Sequence, residues 1–154
     1  MTATTEVAAG PVATGSSVLR ATPVDAPVEV ASLEGHDGSP EARRTLSAVV
    51  TVAVGVEEPV FEGHYPHFPI FPGVCIVDCV HRGVLAVAQQ AGMPEPRLSA
   101  VESTRFVGAV YPGDLLAVRL ELRDHDEGLR CRATASTDRG DAATVRLRYA
   151  GESA

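Results

Sequence analysis

The chain has 154 residues and a mass of 16.1 kDa, a length typical of one domain. Its composition, 45% hydrophobic and 21% charged, is that of a globular protein and excludes a disordered or fibrous one. All 13 basic residues are Arg, and the 20 acidic residues bring the net charge to -7, so we expect no nucleic-acid partner. We also expect no membrane span and no secretion signal, because no long apolar run is present.

The first half of the chain predicts a tail, two strands and a helix. Residues 1–24 lack any sustained period and are predicted to be a disordered tail, and residues 28–33 and 45–54 are predicted strands. Four prolines between positions 59 and 72 predict a loop without regular structure. Apolar residues then recur at helical spacing over 73–91, which predicts one long, largely buried helix with an apolar face of Val74, Val77, Val80, Val84, Leu85, Val87 and Ala88.

The second half predicts four strands in an antiparallel meander, at about 98–110, 115–123, 129–136 and 142–149. Alternation places apolar side chains on one face and arginines on the other: Arg119, Arg123, Arg130, Arg132, Arg146 and Arg148. Such a face is usually a solvated one, and a docking surface for a partner has the same pattern. Together the elements predict an α+β domain over residues 25–154, a curved antiparallel sheet wrapped around one long central helix.

The segment that holds the candidate catalytic residues runs from the proline-rich loop into the helix and reads FEGHYPHFPIFPGVCIVD over 61–78. It places His64 on the loop and Asp78 in the helix, where burial of a carboxylate among valines is unfavourable unless the group is paired or functional. The helix begins at Gly73, so the N–H groups of Gly73 and Val74 are expected to be free to bind a partly negative oxygen. A base, an acid and an oxyanion site are therefore predicted within one short segment.

This segment resembles the signature of the hotdog-fold 3-hydroxyacyl-[acyl-carrier-protein] dehydratases of fatty-acid and polyketide synthesis. The matching residues are Gly63-His64-Tyr65-Pro66, Pro69-Ile70-Phe71-Pro72-Gly73 and Asp78, with Tyr65 where the family has Phe. A second landmark of the family resembles Arg105-Phe106 followed by Val110-Tyr111-Pro112-Gly113-Asp114. The resemblance extends over about residues 26–150.

The resemblance implies the hotdog fold and dehydration of a (3R)-3-hydroxyacyl thioester to the trans-2-enoyl thioester. It implies that His64 removes the C2 proton, that Asp78 protonates the leaving hydroxyl, and that Gly73 and Val74 bind the thioester oxygen. It implies no cofactor, and as partner an acyl carrier protein with its phosphopantetheine-linked acyl chain. It further implies a cytoplasmic homodimer or an assembly of dimers, or alternatively a heterodimer, with His64 of one subunit facing Asp78 of the other.

Besides Tyr65, the chain departs from the common family pattern in three ways. On the N-terminal side an Ala/Thr/Pro tail replaces the helix-forming segment of housekeeping members, which favours a specialised fatty-acid or polyketide pathway. The other two departures are single positions. Many members have Glu where this chain has Asp78, although the branch that also isomerises its product uses Asp. Arg82 stands where relatives commonly have Gln, and one turn after Asp78 it is placed to favour the ionised acid and so to tune it. A hotdog thioesterase and a partner subunit of a heteromeric dehydratase are the alternative functions.

The cysteines offer a further alternative. Cys75 and Cys79 lie one helical turn apart, and with His67 and His81 they could form a metal site, but their spacing matches no common zinc pattern. We therefore expect no metal and interpret both as small apolar packing residues. An odd number of cysteines without a CxxC pair predicts no disulfide framework, and a reducing cytoplasm suits them.

Overall fold

The structure is a computed structural model that describes residues 24–36, 44–63 and 69–151. The elements, in chain order, are β1 (Val28–His36), β2 (Thr45–Ala53), α1 (Val60–Gly63), α2 (Gly73–Gln90), β3 (Arg97–Phe106), β4 (Leu115–His125), β5 (Gly128–Thr137) and β6 (Gly140–Ala150). The strands form one sheet in which every neighbouring pair is antiparallel, and α2 packs against it. The predicted α+β arrangement of one sheet on one long helix is confirmed.

The predicted four-strand meander is wrong for β3. The strand order is β1-β2-β4-β5-β6-β3, so the meander contains only β4 to β6, and β3 lies at the far edge beside β6. The segment 107–114 connects β3 to β4 and is held by backbone hydrogen bonds from Phe71 N to Val110 O (2.8 Å) and from Val54 N to Asp114 O (2.8 Å). Only Val110 of this connection is buried. Because the connection leads from the edge strand β3 to the middle of the sheet, β4 pairs with β2 instead of β3.

The predicted apolar face of α2 is confirmed in part: Val80, Val84, Val87 and Ala88 are buried, but the buried face is shifted around the helix. Its buried residues are Cys75, Ile76, Cys79, Val80, Gly83, Val84, Val87 and Ala88, whereas Val74 is 73% exposed and Val77 and Leu85 are only partly buried. Small side chains allow the close packing, since a Cβ on Gly83 would lie 2.9 Å from Val50 Cγ2. Among the residues that the structure describes, no helix has both the length and the apolarity to span a membrane.

The sequence predicts that the proline-rich segment lacks regular structure, and this prediction is wrong for its first residues. Residues after Pro59 form the single helical turn α1, which a proline at its start permits because the first N–H of a helix needs no partner. On the C-terminal strands the predicted alternation is confirmed: the apolar face is buried and the six arginines of the other face are exposed. Several lie opposite each other, such as Arg130 and Arg148.

Candidate active site

The N-terminus of α2 presents unpaired backbone donors. Pro72 is the N-cap residue, in an extended conformation (φ -62°, ψ 146°), and no side chain caps the helix. The first N–H groups with a partner are those of Cys75 and Ile76, which donate to Pro72 O at 2.9 and 3.3 Å. The N–H groups of Gly73 and Val74 donate to no residue that the structure describes. The helix dipole and these donors together suit a partly negative oxygen.

Phe106, the last residue of β3, lies against this helix end. A Cβ on Gly73 would come within 2.7 Å of Phe106 Cζ, a distance that real side chains do not adopt. Only glycine therefore fits at this position without displacing the ring. The ring itself is 48% exposed. The donors of α2 consequently lie beside the free edge of the sheet.

Asp78 lies five residues after Gly73, which is about 7.5 Å further along the helix axis at 1.5 Å per residue. Its side chain is 31% exposed, so the burial that the sequence predicted is partial in the single chain. Its Oδ2 atom is nonetheless inaccessible and accepts no hydrogen bond from the described part of the chain. Because side chains on a helix lean toward its N-terminus, this carboxyl is directed to the same end as the free N–H groups.

Arg82 contacts two acceptors unequally. Its Nη2 donates a hydrogen bond of 2.7 Å to the backbone oxygen of Ala26. Its Nη1 lies 3.9 Å from Asp78 Oδ2, close enough for electrostatic attraction but too far for a hydrogen bond. The predicted ion pair between Asp78 and Arg82 is therefore present in a loose form.

Glu58 is a residue of this region that the sequence analysis missed. Its side chain is buried (5% exposed) and accepts hydrogen bonds from Asp25 N (2.5 Å) and Ala26 N (3.0 Å). These bonds hold residues 24–27, which we call the strap, against the domain. Val24, which we had assigned to the tail, is 1% exposed and belongs to the core. In the sequence Glu58 is one of two adjacent acids before a proline, a pattern typical of an exposed turn.

The thiols beside Asp78 are packing groups, as expected. Cys75 and Cys79 are free and buried. Burial, helped by the charge of Asp78, raises the pKa of Cys75 to about 11, and burial raises that of Cys79 to about 12, so both stay protonated at neutral pH. His81, for which the sequence suggested no role, has its Nδ1 2.9 Å from the hydroxyl of the buried Tyr149. Burial lowers the pKa of His81.

His64, the predicted base, and His67 belong to the segment 64–68, which is outside the described residues. The described part of the candidate site therefore consists of the α2 N-terminus, Asp78 and Arg82. It combines donors for an oxyanion with a carboxyl group that is able to exchange a proton.

Comparison with known proteins gives a consistent picture. The model of the ApeI-like family, described as ApeI dehydratase, matches residues 40–145, which include both sequence landmarks. The 3-hydroxyacyl-[acyl-carrier-protein] dehydratase FabZ of Neisseria meningitidis is 33% identical over 104 residues, which are 64% of this chain and 68% of that protein.

Solved structures share the fold at lower identity. The dehydratase heterocomplex ApeI:P from Xenorhabdus doucetiae has a TM-score of 0.52 at 21% identity, covering 79% of this chain and 96% of that one. The fluoroacetyl-CoA thioesterase FlK has a TM-score of 0.58 at 16% identity, covering 68% and 84%. At these identities the similarity shows the hotdog fold alone, since dehydratases and thioesterases both adopt it.

Proposed function

Because the chain belongs to the ApeI-like dehydratase family, we propose that it removes water from a (3R)-3-hydroxyacyl thioester on an acyl carrier protein and releases the trans-2-enoyl thioester. The observation that carries the proposal is the spacing on α2. The N–H groups of Gly73 and Val74, which donate to no residue in the described ranges, are followed by the carboxyl of Asp78, and helix side chains lean toward that same N-terminal end. A thioester oxygen and a C3 hydroxyl, whose oxygens are linked through three carbons (C1, C2 and C3), fit between these two groups.

The reaction needs a base, an acid and a stabiliser of negative charge. His64 removes the C2 proton, and the charge that develops on the thioester oxygen is stabilised by the helix N-terminus. Protonated Asp78 donates its proton to the C3 hydroxyl as the C3–O bond breaks, so water leaves and the C2 electron pair forms the double bond. His64 then returns its proton to Asp78 through solvent. All of these groups belong to the chain, and the scheme uses no cofactor.

The exposed apolar side of β3 supports a homodimer. This strand lies at the sheet edge, and nine of its ten residues are exposed. Leu98, Val101 and Phe106 pair with the inward-facing residues of β6. They are nevertheless 40%, 49% and 48% exposed, although Phe106 touches the end of α2 at Gly73. An apolar strand edge of this kind favours association, and pairing two such edges about a two-fold axis is the simplest closed solution.

A dimer through β3 also brings a second chain to the candidate site. Phe106 connects the end of β3 to Gly73, so a partner strand would lie beside the α2 N-terminus. We therefore infer a site shared between subunits, in which His64 of one subunit serves Asp78 of the other. The carrier protein delivers the acyl chain there, and we assign the protein to the cytoplasm, where carrier-bound acyl synthesis and three free buried thiols are compatible.

The test is incubation of the purified protein with a synthetic 3-hydroxyacyl-carrier thioester, followed by intact mass. We expect loss of one water and at least a roughly 10²-fold lower rate for Asp78→Asn, the usual effect of one acid–base group. The control Asp124→Asn changes a β4 carboxyl that is 36% exposed and pairs with Arg44, and it should keep the rate. Loss of the whole acyl group would indicate a thioesterase, and no reaction would indicate a subunit that needs a different partner.

The shared site has a separate test. His64→Ala and Asp78→Asn proteins should each be inactive, and co-expression should restore part of the activity because one site of a mixed dimer contains both intact residues. The restored fraction should follow the proportion of mixed dimers found by native mass spectrometry. Mixed dimers without restored activity would place both groups in one chain.

A further inference from the structure

The position of Arg82 is unusual for an arginine one turn after an aspartate. Such a pair is free to form charge-assisted hydrogen bonds of about 2.7–2.9 Å, often two at once. Here the shortest separation is 3.9 Å, and both facing atoms, Asp78 Oδ2 and Arg82 Nη1, are inaccessible and lack a hydrogen-bond partner among the described residues. Something in the structure must hold the guanidinium away from the carboxylate.

The restraint is the strap. Arg82 Nη2 donates to the backbone oxygen of Ala26 at 2.7 Å, which fixes the second arm of the guanidinium. The oxygen stays in place because the N–H groups of Asp25 and Ala26 both donate to Glu58. Glu58 therefore fixes the strap, and the strap fixes Arg82.

We propose that Glu58 is a positioning residue for Asp78: through the Ala26 carbonyl it holds Arg82 back from Oδ2 and so keeps the Asp78 carboxyl able to carry the proton that it donates. The inference rests on the proposed function for the role of Asp78. Its structural part, that Glu58 prevents closure of the pair between Asp78 and Arg82, stands independently of any activity.

The charged and titratable groups around Asp78 make Arg82 the decisive neighbour. Those that interact with it are Arg82, His81, Cys75 and Cys79 of α2, while Glu58 faces the same two thiols from the segment before α1. The thiols stay neutral, so Arg82 is the permanent cation of this group. Closing the separation from 3.9 Å to about 2.8 Å would favour ionised Asp78 by a further factor of about 10 and weaken it as a proton donor to the same extent.

The test compares Glu58→Gln with the control Glu57→Gln, which changes the adjacent exposed residue. The two strap N–H groups donate to different oxygens of Glu58, so a glutamine in the same conformation places its NH2 group against one of them. The crystal structure of Glu58→Gln should show Arg82 released from Ala26 and within hydrogen-bond distance of Asp78. The inference would be overturned if the Arg82 guanidinium still donated to the Ala26 oxygen and still lay 3.9 Å from Asp78 Oδ2. This outcome counts whether or not the protein is a dehydratase.

The functional part is read from kinetics in two backgrounds. Glu58→Gln should lower kcat about 10-fold or more and move the carboxyl-governed limb of the pH–rate profile to lower pH. In an Arg82→Gln background, Glu58→Gln should change neither, because no arginine is left to close on Asp78. A purely structural Glu58 would instead reduce activity equally in both backgrounds, and that result would refute the positioning role.

A second pair of variants covers poor folding of Glu58→Gln. Asp25→Pro removes one of the two N–H donors and keeps the Glu58 carboxylate, whereas Asp25→Ala removes the exposed side chain and keeps the donor. The proline variant should reproduce the closed pair and the shifted profile, and the alanine variant should behave as wild type. Identical structures and profiles for the two would contradict the inference.

Discussion

Gly73→Ala tests whether the α2 N-terminus is an oxygen-binding site that Phe106 partly covers. The new Cβ would lie 2.7, 2.8 and 2.9 Å from three ring atoms of Phe106. Ordinary contact begins at 3.4 Å, so the ring must retreat by about 3.4 - 2.7 = 0.7 Å. The ring is half exposed and able to move, which makes the change a displacement at the site and leaves the core intact.

The expected free-energy changes nearly cancel in stability but not in catalysis. Displacing the ring is a mild case of overpacking, which destabilises by about 1–3 kcal/mol, and replacing glycine with alanine in a helix recovers up to about 1 kcal/mol. We therefore expect the free energy of unfolding to fall by no more than about 2 kcal/mol. A misplacement approaching 1 Å at a reacting centre lowers rates by up to about 10²-fold, so kcat should fall by roughly 10- to 10²-fold.

The assay pairs urea unfolding with turnover of the 3-hydroxyacyl-carrier thioester. The matched control is Gly73→Ala/Phe106→Leu, in which a smaller side chain relieves the contact, and its kcat should recover relative to Gly73→Ala. An unchanged kcat in Gly73→Ala would show that substrate does not use this helix end. A loss equal in the single and double variants would show that the ring contact is not the cause.

Two further predictions concern the packing and protonation of α2. Gly83→Ala places a Cβ 2.9 Å from Val50 Cγ2 and 3.3 Å from Leu120 Cδ1. Urea unfolding should therefore show a free energy of unfolding lower by about 1–3 kcal/mol, and Val50→Ala should partly reverse this loss. An unaltered stability would mean that helix and sheet separate freely. Burial lowers the pKa of His81 from its ordinary 6.5, so the unfolded chain binds its proton first and stability should fall as pH drops below about 6.5. His81→Gln should show a shallower fall below pH 6.5, and equal slopes in both proteins would assign the pH dependence to other groups.

The sequence determined most of the elements and the identity of the candidate residues. Alternation on β4, β5 and β6 and the apolar period of α2 are local signals, because one buried face repeats every second or every third to fourth residue. The motif around Asp78 is also local, and the match of a dehydratase family model over residues 40–145 confirms the family. The position of β3 was not predictable in this way, since strand order depends on which edges are free when the sheet assembles.

Only the tertiary structure decided how Asp78 is surrounded. Glu58 and the strap are separated from Arg82 by 24 and 56 positions, and no sequence period links them. The exposure of Val74 and the contact of Phe106 with Gly73 likewise follow from which face of α2 the sheet covers. A local pattern fixes which side chains share a face, whereas the packing of distant segments fixes which side chains meet. The surroundings of the Asp78 carboxyl depend on this packing.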